Sequence, residues 1–197
     1  MKKFEEKKFN IPALKGISAK TIEEHLKLYS GYVTNANLVM EKIATLGADP
    51  ANAYAVSEIR RRFSFEFNGM RNHEVYFSSF EGGPKSLPKN SKLKEVIESE
   101  GGTFDGWLAY FKSVAMTRGI GWAMLYYNPE SGRLITSWVD EQHLGQLQNS
   151  AAVLALDMWE HSFVADYQPS GKKNYVEDFF ANLNWEVIEN NFKAASK

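Results

Sequence analysis

The sequence predicts an α+β protein, a helical hairpin followed by a half that mixes helices with short strands, and three observations carry this. Two long stretches before residue 81 repeat apolar residues at helical spacing, a Gly/Pro-rich segment follows them, and three β-type runs stand among helical ones beyond it. With 197 residues, 44% of them hydrophobic and 14% aromatic, the chain can bury one large core or two small ones.

Ser18 stands where the first helix needs an N-cap. From there Ile22, Leu26, Tyr29, Val33, Ala36, Met40 and Ile43 follow in alternating steps of four and three, the stripe of a long helix packed on another. After a turn at Gly47 to Pro50, Ile59, Phe63, Met70, His73, Phe77 and Phe80 repeat on comparable spacing, which predicts an antiparallel helical hairpin. The segment Glu81-Gly82-Gly83-Pro84-Lys85-Ser86-Leu87-Pro88 has a linker's composition and divides the chain into residues 1–84 and 85–197. Residues 91–116 then read as two helices separated by Gly101-Gly102. Gly121 to Tyr127, Leu134 to Val139 and Ala151 to Asp157 read as strands, the first two joined by a turn at Asn128-Pro129-Glu130-Ser131-Gly132. Tyr175 to Phe192 returns to helix.

The chain has no cysteine, which excludes disulfides, thiolate metal sites, iron–sulfur clusters and cysteine nucleophiles. The 23 basic and 24 acidic residues nearly cancel, so neither a nucleic acid nor an anionic membrane is expected as a partner. Met1 to Glu6 lacks a signal peptide's apolar stretch, and no run approaches the roughly 20 apolar residues of a membrane span; the expectation is a soluble, cytoplasmic protein.

His25 and His73 fall at or beside the apolar stripes of the hairpin helices, where an imidazole needs a partner. A lone core histidine satisfies itself on a backbone carbonyl, whereas two facing ones point toward a metal. Asp157-Met158-Trp159-Glu160-His161 follows the apolar run 151–156, which places a carboxylate and an imidazole at the end of a buried strand. Three imidazoles and one carboxylate without sulfur suit iron, manganese or zinc.

The string Asp157-Met158-Trp159-Glu160-His161, continued by Asp166-Tyr167 and Asn184-Trp185, closely resembles the C-terminal signature of the iron/manganese superoxide dismutases. Lys20 to His25 resembles the stretch that carries that family's first ligand, Asn72-His73 the second, and Gly119-Ile120-Gly121-Trp122 the family's Gly-x-Gly-Trp strand. The resemblance implies a three-stranded antiparallel sheet flanked by helices in the second half, and one iron or manganese ion on His25, His73, Asp157 and His161, with solvent in a fifth position. It implies superoxide as substrate, disproportionated to dioxygen and hydrogen peroxide, with Tyr32 and Trp122 lining the site. It also implies a homodimer, or a tetramer, in which Glu160 bonds to the partner's ligand histidine. The family's outer hydrogen-bond partner, a glutamine or a histidine, best matches His143, with Gln142 as the competing assignment.

Two positions depart from the family pattern. His25 and Tyr32 are seven residues apart where the family has eight, with Leu28 or Tyr29 in place of a second histidine. In a regular helix that spacing still puts both on one face, about 10 Å apart along the axis. His161-Ser162-Phe163-Val164 stands where the family commonly reads His-Ala-Tyr-Tyr, so both ends of a cross-subunit link are missing together, which implies a remodelled entrance over an intact ligand set. Lys172 and Lys173 resemble basic positions near the family's substrate funnel. Two other readings remain: a metal enzyme of another kind such as a non-haem iron oxygenase, which a third histidine argues against, and a non-catalytic metal-binding homologue with a remodelled funnel.

Overall fold

The computed structural model describes residues 2–197. Helix α1 spans Ala19–Leu46, and the hydroxyl of Ser18 caps it by accepting from the Thr21 N–H at 3.1 Å. A 3₁₀ turn at Pro50–Asn52, capped by Asp49, leads into α2, Ala53–Ser78, and the two helices pack as a hairpin. Of the expected α1 stripe, Ile22, Tyr29, Val33 and Ala36 are buried, while Leu26, Met40 and Ile43 are only partly covered. On α2 the buried face is richest after Phe65, so the two helices enclose most where the other half covers them. The N-terminal segment runs along α1, held where Asn37 exchanges hydrogen bonds with the backbone of Phe4 and where the Lys7 N–H donates to the Tyr29 hydroxyl.

Gly82 and Gly83 both take positive φ after the hairpin, which glycine adopts without the Cβ penalty. Helices α3, Lys92–Ser99, and α4, Phe104–Ala115, follow on either side of Gly101. The buried carboxylate of Glu189 takes up the start of α3, accepting from the Ser91 hydroxyl and the N–H groups of Lys92 and Leu93.

Strands β1, Gly121–Asn128, β2, Arg133–Asp140, and β3, Ala151–Asp157, form one antiparallel sheet in the order β2-β1-β3. The central strand β1 is buried along most of its length, because β2 and β3 flank it and helices α4 and α7 pack on it, while α2 packs on β3. In register, Trp122 of β1 lies opposite Asp157 of β3 and Val139 of β2. That pairing fixes which side chains crowd the end of β3.

After a short helix α5, Val164–Tyr167, the tail forms two helices rather than the one expected from Tyr175 to Phe192: α6, Lys172–Asn182, and α7, Trp185–Ala195. Leu183 is extended, and Asn184 caps α7 by accepting from the Glu186 N–H at 3.1 Å. The same residue donates from Nδ2 to the Glu81 carbonyl and from its N–H to the Ser79 carbonyl, so the break ties the tail to the end of the hairpin. An apolar stripe alone does not reveal a cap residue placed inside it.

Candidate metal centre

Helix α1 supplies His25, α2 supplies His73, and β3 with the turn after it supplies Asp157 and His161. One donor atom from each lies within 4.8 Å of the others. Among the described residues this is the one group of His, Cys, Asp and Glu donors so arranged. Asp157 is fully buried, and its two oxygens have separate duties. Oδ1 accepts from the Trp159 N–H at 2.8 Å, which fixes the carboxylate plane. Oδ2 faces Nε2 of His25 and of His161, each at 3.1 Å, and Nε2 of His73 at 3.6 Å.

The tautomer of His73 follows from its neighbour. Its Nδ1 lies 2.6 Å from the Gly69 carbonyl, which can only accept, so Nδ1 carries the hydrogen and Nε2 presents a lone pair. That buried Nε2 has no hydrogen-bond partner and points at a carboxylate oxygen. Two electron pairs facing each other in a dry site are unfavourable unless a cation lies between them, so the donor set fits a metal ion.

The charges agree with this. Burial pushes the His73 pKa down to about 3 and lowers that of His25, so both rings are neutral ligands at neutral pH. Burial alone would raise the Asp157 pKa, but His161 and His25 at Oδ2 outweigh it and hold the carboxyl below its usual range. Below the ordinary histidine value of 6.5 the unfolded chain takes up protons that the two buried rings refuse, down to about 3 for His73, so stability falls across that window. Asp157 adds a loss in the same direction below 3.8. Urea unfolding of metal-free protein at about pH 7 and about pH 5 should show the lower midpoint at the more acid value; equal midpoints would contradict neutral buried imidazoles.

Trp122 and Tyr32 flank the cluster. The Trp122 ring meets that of His73 at 5.0 Å, and Tyr32 lies 5.0 Å from the same imidazole on the α1 side. Tyr32 reaches there from an uninterrupted α-helix, as the seven-residue spacing from His25 requires. Its approach depends on Gly69, where a Cβ would lie 2.4 Å from the Tyr32 ring.

The bond between them is made by Gln142, not His143. An indole N–H can only donate, so Gln142 turns Oε1 to Trp122 at 2.9 Å and donates from Nε2 to the Tyr32 hydroxyl, also at 2.9 Å. Expecting His143 there is corrected by the turn after β2. Glu141 at φ 49 and the Asp140 carbonyl, which accepts from the N–H groups of His143 and Leu144, reverse the chain. Gln142 is thereby carried inward and fully buried, while His143 packs edge-on against Phe65 at 5.7 Å. Asn72 holds the Gln142 carbonyl, and Gln146 in turn holds Asn72. Irregular turns carry no periodicity, so neighbouring side chains such as these cannot be sorted inward or outward from sequence.

Trp159 lies stacked on His161 at 5.7 Å. Glu160 is exposed at the turn that also presents His161, whose side chain is 23% exposed. Lys172 donates to the Thr117 carbonyl and lies over the Trp138 ring, and Lys173 is exposed. Several contributors carried no chemical signature in the sequence. Tyr175 donates to the Asp157 carbonyl at 2.9 Å and packs behind the cluster with Tyr76, and Gly69 and Gln146 act only through what they adjoin.

Comparison with known proteins gives two family matches: iron/manganese superoxide dismutases, alpha-hairpin domain, over residues 4–81, and iron/manganese superoxide dismutases, C-terminal domain, over residues 88–191. An iron superoxide dismutase of Cupriavidus metallidurans is 35% identical over 185 residues, covering 92% of this chain and 91% of that protein. One of Aquifex pyrophilus is 33% identical over 190 residues, 93% and 88% of the two chains. A manganese superoxide dismutase of Mycolicibacterium smegmatis is 30% identical over 175 residues, 87% and 82%.

Proposed function

The chain belongs to the iron/manganese superoxide dismutase family, and from that premise we propose that His25, His73, Asp157 and His161 hold one iron or manganese ion at which superoxide is disproportionated. The observation that carries this assignment of residues is the partnerless lone pair of His73 Nε2 aimed at the Asp157 carboxylate. Bound there, the metal supplies one-electron redox chemistry that oxidises one superoxide to dioxygen and reduces a second to peroxide. Three neutral imidazoles and one carboxylate keep the net charge of the site low through both half-reactions.

The chain's own residues manage position and protons. Two protons enter per peroxide formed. Tyr32 accepts from Gln142, which leaves its own hydrogen free to donate, and burial raises the phenol's pKa so that it keeps that hydrogen. Gln142, pinned by Trp122 at one end, fixes the phenol beside His73. Asn72 and Gln146 hold the Gln142 backbone so that this bond survives turnover.

The units 1–84 and 85–197 contribute two ligands each, so the centre forms only when both are docked. We assign the working form as a homodimer in the cytoplasm. Exposed Glu160 stands beside His161, and Ile120 and Leu144 expose apolar side chains at the same end of the sheet. Among the described residues no helix is long and apolar enough to cross a membrane. Sedimentation should show a dimer for the unaltered protein and a shift toward monomer for Glu160→Ala, because the partner's His161 loses its acceptor. A monomer in both cases would remove the cross-subunit role of Glu160.

A further inference from the structure

The segment before α1 forms neither helix nor strand over residues 2–18, yet its backbone is fastened to both halves of the molecule. Its first part belongs to the hairpin. Asn37 binds the Phe4 backbone, the Tyr29 hydroxyl accepts from the Lys7 N–H, and the Gly82 N–H donates to the Asn10 carbonyl at 3.1 Å. The Phe9 ring lies 5.7 Å from that of Tyr29 and 5.5 Å from that of Phe77, which in turn lies 4.9 Å from His25. The second part belongs to the other half. The side-chain amide of buried Asn182 on α6 accepts from the Lys15 N–H and donates to the Lys15 carbonyl, both at 2.8 Å, and Asp166 accepts from the Ser18 N–H at 2.9 Å. Gly16, between them, takes φ 74, and a Cβ there would run into the Tyr167 hydroxyl and the Asp178 carboxylate. The position needs glycine twice over, for its backbone angle and for the closeness of α5 and α6.

We propose that residues 4–18 form a strap whose hold on α5 and α6 sets how fast the centre takes up and loses its metal ion. This rests on the reading of His25, His73, Asp157 and His161 as the ligands. Three of the four are fully buried, and each half carries two, so an ion reaches or leaves the full set only when the halves part locally. The strap opposes that parting because it lies across the division with an anchorage on either side. Its own release costs less than opening the helices it joins, since it has no ladder of backbone bonds and depends on side chains. The Asn182 amide carries the second anchorage. It is buried and makes both bonds to one residue, whereas the Lys15–Asp178 ion pair beside it has a lysine side chain 74% exposed and adds little.

In protein loaded with iron or manganese, transfer of the ion to an excess of chelator is to be timed, alongside amide hydrogen exchange and urea unfolding. Asn182→Ala removes both bonds to Lys15, and Gly16→Ala strains the strap and displaces it from Tyr167 and Asp178. In both we expect metal loss about tenfold faster or more, faster exchange over residues 4–18, and unchanged superoxide consumption per bound ion. Ile97→Ala is the comparison, because Ile97 is buried on α3, which packs on α4, α7 and β2, so its truncation weakens the second half without touching the strap. It should lower the urea midpoint at least as far as either strap variant while releasing metal at close to the parent's rate. Metal loss unmoved in both strap variants, or metal loss that follows the urea midpoint through all three, would overturn the strap. A parent that holds the ion yet consumes no superoxide would overturn the dismutase reading and leave the strap standing.

Discussion

Asp157→Asn should abolish metal binding and superoxide turnover while leaving the metal-free fold standing. The Trp159 N–H requires an oxygen at the Oδ1 position, so an asparagine there must turn its NH₂ toward the three imidazoles. The site then loses its one negative charge and points donor hydrogens at the place a cation would occupy. We expect metal content after dialysis to fall at least about tenfold, since loss of an outer-shell partner alone costs about 10–100-fold. Turnover should fall by about 10³ or more, in the range of a lost essential group. The same NH₂ can donate to the His73 Nε2 that otherwise lacks a partner, but His25 and His161 lose the carboxylate oxygen they face, so the metal-free variant should still fold and melt below the metal-free parent. Added iron or manganese should raise the midpoint of the parent and not of the variant. An equal rise in both would mean that the ion binds elsewhere.

Gly69→Ala should damage activity out of proportion to stability. The added Cβ would lie 2.4, 2.6 and 2.9 Å from the Cδ1, Cε1 and Cγ atoms of Tyr32, a ring already confined by Phe65 and His73. Overpacking of this kind costs about 1–3 kcal/mol, offset by about 1 kcal/mol because alanine is the better helix former. The net loss of stability is therefore about 0–2 kcal/mol. Any relief must move Tyr32 or the helix pair, and either breaks the 2.9 Å bond from Gln142 or shifts the Gly69 carbonyl that orients His73. In a Tyr32→Ala background the clash is gone, so Gly69→Ala should become stabilising. That change of sign, read by denaturant unfolding, isolates the contact. A destabilisation of the same size in both backgrounds would mean that Gly69 is needed for something other than Tyr32.

The parts of the molecule that were legible in the sequence are those with a period or a dictated chemistry. The stripe from Ile22 to Ala36 places His25 on the face it occupies, because three- and four-residue steps leave little freedom about which side is buried. Strand bounds came within a residue or two, since β1 and β3 are apolar runs closed by turn residues. The four polar side chains that meet could be proposed because imidazole and carboxylate are costly to bury alone. What the sequence hid depends on turns and on shape. Gln142 and His143 differ in direction through a single positive φ at Glu141, and Asn184 splits a helical tail by capping from within it. Gly69 matters only through a ring 37 positions away in the chain, a closeness that no local pattern records.

The most direct test is superoxide consumption by stopped-flow on protein reconstituted separately with iron and with manganese and on metal-free protein, with metal content determined for each. The account predicts rapid consumption in at least one metal-loaded form, in proportion to its metal content, and none above background in the metal-free form; full occupancy of both metals without consumption would contradict it.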